Sequence, residues 1–280
     1  MNKTIAATAI FIALTLPPFH LHAFPPAPDH LLFGQVRDEF GNPLALDSAQ
    51  VILETTAGIR IKTQVIADLE PGVNYKLSVP MDSGLTTDQY KPTALRPAVP
   101  FKMWVVANGT TYLPIEMKLK TSSLGAPGER TRIDLTLGED SDGDGLPDAW
   151  ERAMLTALGL NMSLAEFNPA NDLDRDGLNN LDEYLAGTYA FDPADGFTLK
   201  IATFNSGQPV LEFMGIRGRT YSVLGSENMI QWSPVAFRIA DSAEPAATDY
   251  YANDVRTVRV EVQASDASAT RLKFFKLMVR

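Results

Sequence analysis

The amino-acid sequence predicts a mainly β fold with a small α insert, in which two β-sandwich domains are joined by a short loop-helix module. Three observations predict it. Residues 31–137 and 197–280 alternate short apolar-rich runs with turn signals, as all-β domains do. Between them, one twelve-residue carboxylate pattern is written twice, thirty-two positions apart, starting at Asp140 and at Asp172. The charge gathers in that same stretch. Residues 139–195 hold fourteen acids against Arg152 and Arg175, while the remaining twenty acids and twenty-two bases nearly cancel. A surface made acidic for solubility would spread its charge, so the partner of these acids is local. No basic stripe exists, which excludes nucleic acid as a partner.

Taken in order, residues 1–23 read as a signal peptide. Lys3 precedes the apolar run Ile5 to Leu16, followed by Pro17-Pro18 and a small residue, Ala23, at the cleavage point. The run is too short to span a bilayer, and no later segment is apolar enough to do so. The mature chain is therefore expected to begin near Phe24 and to be secreted or held in the cell envelope. Cysteine is absent, which excludes disulfides, thiolate metal sites and a cysteine nucleophile. His20 and His22 fall in the leader, leaving His30 alone, which is expected on the surface. One histidine assembles neither a histidine zinc site nor a choice of catalytic triads.

The first β domain, residues 24–138, is expected to carry strands at Leu31–Arg37, Gln50–Thr55, Ile59–Ile66, Val73–Val79, Phe101–Ala107, Thr111–Leu119 and Thr131–Leu137. Turns at Gly41-Asn42-Pro43, Pro71-Gly72 and Asn108-Gly109 separate them, and the proline-rich stretch Pro80–Pro100 is a long connection. The second β domain, residues 196–280, has strand candidates at Phe197–Phe204, Pro209–Met214, Thr220–Leu224, Gln231–Ile239, Thr257–Val262 and Leu272–Val279. Tyr221, Trp232, Tyr250 and Tyr251 are read as core aromatics in preference to a sugar-stacking platform.

The doubled pattern carries the chemistry. In the first copy Asp140, Asp142, Asp144, Asp148 and Glu151 stand at loop positions 1, 3, 5, 9 and 12, with Gly145 at position 6. The second copy has Asp172, Asp174, Asp176, Asn180 and Glu183 at the same positions, with Gly177 at position 6. Calcium takes six to eight oxygen ligands at flexible geometry, and this spacing supplies them from a sharply turned backbone. The carbonyls of Leu146 and Leu178 fall at position 7. Helices are expected to start at Pro147 and Asn179 and to end at Gly159 and Gly187. Positions 9 and 12 then share one helix face, while Trp150, Met154 and Leu158, and Leu181, Tyr184 and Leu185, form the apolar faces. Two calcium ions, one per loop, are expected.

Before each loop the entering helix of a full hand is missing, since Thr131–Leu137 reads as a strand and Pro169 precedes Asp172. The runs Asp144-Gly145-Leu146-Pro147-Asp148-Ala149-Trp150-Glu151 and Asp176-Gly177-Leu178-Asn179-Asn180-Leu181-Asp182-Glu183 resemble the loop-helix, EF-hand-like calcium repeats of dockerins and of thrombospondin type 3-like segments in secreted bacterial proteins. The resemblance covers Glu139 to Pro193 and implies calcium binding. Gly34-Gln35-Val36-Arg37-Asp38 with Pro71-Gly72-Val73-Asn74-Tyr75 resembles carboxypeptidase-regulatory-like and transthyretin-like modules, which implies a β-sandwich spacer. Gly218-Arg219-Thr220-Tyr221 and the terminal Phe274-Phe275-Lys276-Leu277 are similar to short C-terminal units of secreted modular proteins. The expected function is a non-enzymatic, calcium-braced modular protein. A dockerin-like module that binds another envelope or extracellular protein, and a glycan-binding surface protein, are the alternatives.

Overall fold

The computed structural model describes residues 27–46, 48–85, 87, 89–119, 122–205, 207–263 and 272–280. The expected signal peptide lies outside the described residues. The chain is mainly β with a small α insert, and most buried apolar side chains of the described residues form three separate clusters.

The first cluster lies between two sheets. β1 (Ala27–Gly34), β2 (Val36–Arg37), β3 (Gln50–Thr55), β4 (Arg60–Gln64), β5 (Tyr75–Met81), β6 (Pro100–Ala107) and β7 (Thr110–Tyr112) precede a one-turn helix, α1 (Ile115–Leu119). β8 (Ser122–Ser123), β9 (Arg130–Arg132) and β10 (Leu135–Thr136) follow. One sheet has the order β5-β1-β9, continued by the parallel pair β2 and β10; the other runs β4-β3-β6-β7, with β8 also on β6. Period-two burial along the strands turns Leu32, Leu77 and Val79 of one sheet toward Val51, Leu53 and Met103 of the other.

That same alternation corrects the surface placement of His30. It shares the inward face of β1 with Leu32, is only 1% exposed, and its Nε2 lies 2.9 Å from Thr131 Oγ1 on the neighbouring strand. The expected strand Thr111–Leu119 also breaks. Pro114 has no N–H to offer a ladder, and its carbonyl instead accepts from Met117 in the turn of α1. Glu116 of α1 accepts both the N–H and the hydroxyl of Thr136 at 2.8 Å, tying α1 to the strand that leads into the first acidic loop.

The two remaining helices are α2 (Asp148–Leu158) and α3 (Asn180–Ala186), each beginning one residue later than expected. Pro147 and Asn179 are extended N-cap residues rather than first-turn residues, and Asn179 Oδ1 accepts from Asp182 N–H at 2.8 Å. Gly159 and Gly187 end them in the left-handed region, at φ 64° and 81°. Leu146, Trp150, Met154, Leu155, Phe167 and Tyr184 make the second cluster, where Trp150 meets Tyr184 edge-on at 5.3 Å. Of the expected apolar faces, Trp150, Met154 and Tyr184 are buried in this cluster and Leu181 packs against it, but the other two positions differ. Leu185 is exposed and Leu158 half-buried, while Leu155 takes the core position.

β11 (Lys200–Asn205), β12 (Gln208–Gly215), β13 (Thr220–Ser226), β14 (Ser233–Pro234), β15 (Phe237–Ile239), β16 (Asp249–Tyr251), β17 (Arg256–Val262) and β18 (Phe274–Val279) enclose the third cluster. One sheet runs β11-β12-β17-β15, and the other runs β14-β13-β16 with β18 on β13. The single strand expected over Gln231–Ile239 is two, one in each sheet, with Val235 still bonded to β13 and Phe237 already paired with β17. Tyr221 is fully buried against Phe213, as its core reading requires. Among the described residues no helix is long and apolar enough to cross a membrane.

Candidate metal centre

The two loops fold by the same bonds at the same offsets. The Asp140 carboxylate accepts the N–H groups of Gly143 and Gly145, at 2.7 and 3.3 Å, and Asp172 accepts those of Arg175 and Gly177, at 2.6 and 3.0 Å. Asp144 then accepts from Leu146 at 2.9 Å, and Asp176 from Leu178 at 2.8 Å. Each loop closes where position 9 donates its N–H to the carbonyl just before position 1, Asp148 to Glu139 and Asn180 to Asn171. These internal bonds curl the backbone without using up the aspartates, because a carboxylate has about four acceptor sites.

Position 6 needs the left-handed region, which Gly145 and Gly177 supply at φ 98° and 104°. Position 4 needs it too. Gly143 meets that demand at φ 80°, whereas Arg175 is held there at φ 67°. The sequence hides this second requirement, since only one copy has glycine there.

As a result Asp140, Asp142 and Asp144 each present an oxygen within 4.8 Å of the other two, and so do Asp172, Asp174 and Asp176. Two acidic clusters that could hold metal ions are therefore present. The position-12 glutamates feel the charge of these carboxylates. Glu151 is 0% exposed and neither carboxylate oxygen has a partner among the described residues; Glu183 is 1% exposed, with Oε2 likewise unpartnered. Asp174 Oδ2 and Asn180 Oδ1 are also buried and unpartnered. No family model and no curated protein matches the chain. What the loops do is therefore read from their own atoms.

Buried oxygens without donors cost about 1–3 kcal/mol each, more when charged, and a cation in either loop would supply a partner to the four residues in this condition. The electrostatics agree. Burial first, and then Asp144, Asp142, Asp148 and Asp140, push the Glu151 carboxyl up to about 8. Burial and then Asp174, Asp176, Asp172 and Asp195 do the same to Glu183, also to about 8. Each glutamate thus feels its own loop's aspartates. Asp144 and Asp174 are raised as well, burial again leading.

Position 9 differs between the copies. Asp148 Oδ1 accepts from Ser141 N–H at 2.8 Å and Oδ2 from Arg152 at 2.9 Å; despite burial, these donors hold its carboxyl below the usual range. In the second loop Asn180 Nδ2 donates to the Asn168 carbonyl at 2.9 Å, which leaves Oδ1 free. Leu146 is fully buried and Leu178 half-buried, each directly after the position-6 glycine. Asp195 was not singled out by spacing. The chain at Gly196 passes so close to the second loop that a Cβ there would sit 2.8 Å from Asp176 Oδ2, which brings Asp195 beside that cluster.

The raised glutamates predict a pH dependence. A carboxyl raised in the folded state binds more protons than in the unfolded chain between about 4.5 and about 8, so the ion-free fold loses stability as pH rises through that window. With a saturating divalent cation the loss should vanish, because the ion replaces those protons. Thermal melts at pH 5 and pH 8, with chelator and with calcium, check this. The chelated protein is expected to melt lower at pH 8 than at pH 5.

Proposed function

We infer that the chain is a secreted, non-enzymatic modular protein in which two calcium ions, one per loop, rigidify the junction between two β domains. The observation that carries the reading is Glu151, a fully buried carboxylate whose oxygens have no partner among the described residues and which feels the charge of three aspartates that converge within 4.8 Å of one another. Every donor is oxygen, a hard set that favours calcium over zinc, and a shared glutamate with both oxygens free suits the larger ion better than magnesium.

The residues that would hold the ions are Asp140, Asp142, Asp144, Glu151 and the Leu146 carbonyl in the first loop, with Asp148 adjoining. In the second they are Asp172, Asp174, Asp176, Asn180, Glu183 and the Leu178 carbonyl. The ions would neutralise carboxylates that otherwise repel and would fix the first turn of each helix. Support for a brace comes from attachment, since the first loop begins four residues after β10 ends. Secretion belongs to the same reading, because extracellular modules of this kind bind at about 10⁻⁴–10⁻³ M, a range filled outside the cell.

Calorimetric titration of the chain with calcium tests it. Two ions should bind, and Glu151→Gln or Glu183→Gln should each remove one. Retention of two ions by either variant would remove position 12 from the ligand set, and a featureless titration of the unaltered chain would end the calcium reading.

A further inference from the structure

The two loops are attached differently to the rest of the molecule. α2 has eleven residues and ends by its own backbone, where the N–H of Gly159 reaches the carbonyls of Leu155 and Thr156. α3 has seven residues, too few to hold a helix unaided, and carries Glu183 in its middle. Its last carbonyls are claimed from two sides. Glu183 O accepts from Gly187 and Thr188, while Tyr184 O and Leu185 O accept from the guanidinium of Arg219, at 3.0 and 2.7 Å.

Arg219 belongs to the turn before β13, in the third unit of the chain, and is 3% exposed. Its remaining arm donates to Gly41 O at 2.5 Å, in the turn between β2 and β3. One buried side chain therefore joins the first sandwich, the second loop's helix and the second sandwich. Its partners are three carbonyls, two of them at the negative end of a helix, which suits a cation. Burial, with Arg37 nearby, lowers its pKa to about 10, so it stays charged at neutral pH.

The surrounding packing leaves no slack. A Cβ on Gly41 would lie 2.5 Å from Arg219 Nη2, and one on Gly218 would lie 2.6 Å from Pro43 Cδ. Gln35 Nε2 and Tyr251 Oη, 3.4 Å apart, and the Gly72 and Thr220 pair extend the same contact between the sandwiches. A shift of α3 by a fraction of an ångström cannot be absorbed locally; it must break either the Arg219 contacts or the sandwich contact behind them.

We propose that Arg219 couples cation occupancy of the second loop, and of the second loop alone, to the docking of the two sandwiches. The inference rests on the calcium reading above. Its physical content is that a seven-residue helix is held at one end by the ion and at the other by Arg219, so each fastening strengthens the other. Linkage makes the effect reciprocal. Arg219 is a positioning residue, since it touches no candidate ligand atom.

The test is calorimetric calcium titration of the full chain in two backgrounds. With Glu151→Gln only the second loop binds, and adding Arg219→Ala should weaken it about tenfold, within the usual range of coupling. With Glu183→Gln only the first loop binds, and the same addition should leave affinity within about twofold. Arg219→Lys, which keeps the charge but cannot reach three carbonyls, should lie between and guards against a variant that does not fold. Hydrogen exchange of the unaltered chain gives an independent readout. Calcium should slow exchange at residues 38–44 and 216–221, and should still do so in Glu151→Gln but not in Glu183→Gln. Equal weakening at both loops, or no change at either, would overturn the coupling while two ions bound by the unaltered chain would leave the calcium reading intact. No binding by the unaltered chain would overturn both.

Discussion

Chelation of calcium is expected to melt residues 139–195 while both sandwiches keep their β signal. At a calcium concentration a hundred times Kd, each ion adds about 2.7 kcal/mol, so removing both costs the junction about 5 kcal/mol. Without the ions, Glu151 and Glu183 sit buried and unpartnered among like charges, and the helices they anchor are short. The sandwiches have their own buried clusters and do not depend on the loops for a core. Differential scanning calorimetry with and without chelator, alongside far-ultraviolet circular dichroism, should resolve a low transition that appears only on chelation. Superimposable traces would mean that the ions do not brace the fold.

The second large effect is expected from Trp150→Ala. Trp150 occupies position 11 of the first loop but points away from it, edge-on to Phe167 at 6.0 Å and to Tyr184 at 5.3 Å. It brings α2 against Tyr184 of α3. Truncating a buried tryptophan typically costs about 3–5 kcal/mol, and little nearby can refill the space because the cluster is small. Calcium affinity should fall at both loops, unlike the one-loop effect expected at Arg219. Trp150→Phe should recover most of the loss. Urea unfolding in saturating calcium measures it, and a change below about 1 kcal/mol would show that the helices do not rely on each other.

The parts of the molecule legible in the sequence are those whose signal is local. Loop positions 1 and 5, the glycines at position 6, and the helix-ending Gly159 and Gly187 are all defined by offsets of a few residues, and positions 1 and 5 make the same hydrogen bonds in both loops. The longer strands were visible by alternation, as in Val258, Val260 and Val262 of β17. Short elements were not. Ile115–Leu119 looks apolar enough for a strand until Pro114 is weighed, and Asp249–Tyr251 is three residues held by pairing with β13.

What escaped altogether depends on distant partners. His30 is inward on β1, where Thr131, a hundred and one residues away, partners its Nε2. Asp195 reaches the second loop only because the chain turns back at Gly196. Nothing in its own segment marks Arg219 as a tie, because its three acceptors lie 34, 35 and 178 positions away. Spacing within a motif reports which atoms an ion would meet; it says nothing of what holds that motif against its neighbours.

The central claim is that each loop holds one ion through its position-12 glutamate. Anomalous diffraction from crystals grown in calcium tests it most directly. Two peaks are predicted, each about 2.3–2.6 Å from carboxylate oxygens, one at Glu151 with Asp140, Asp142 and Asp144 and the other at Glu183 with Asp172, Asp174 and Asp176. Well-ordered loops with no anomalous peak, or peaks that leave Glu151 and Glu183 uncoordinated, would contradict it.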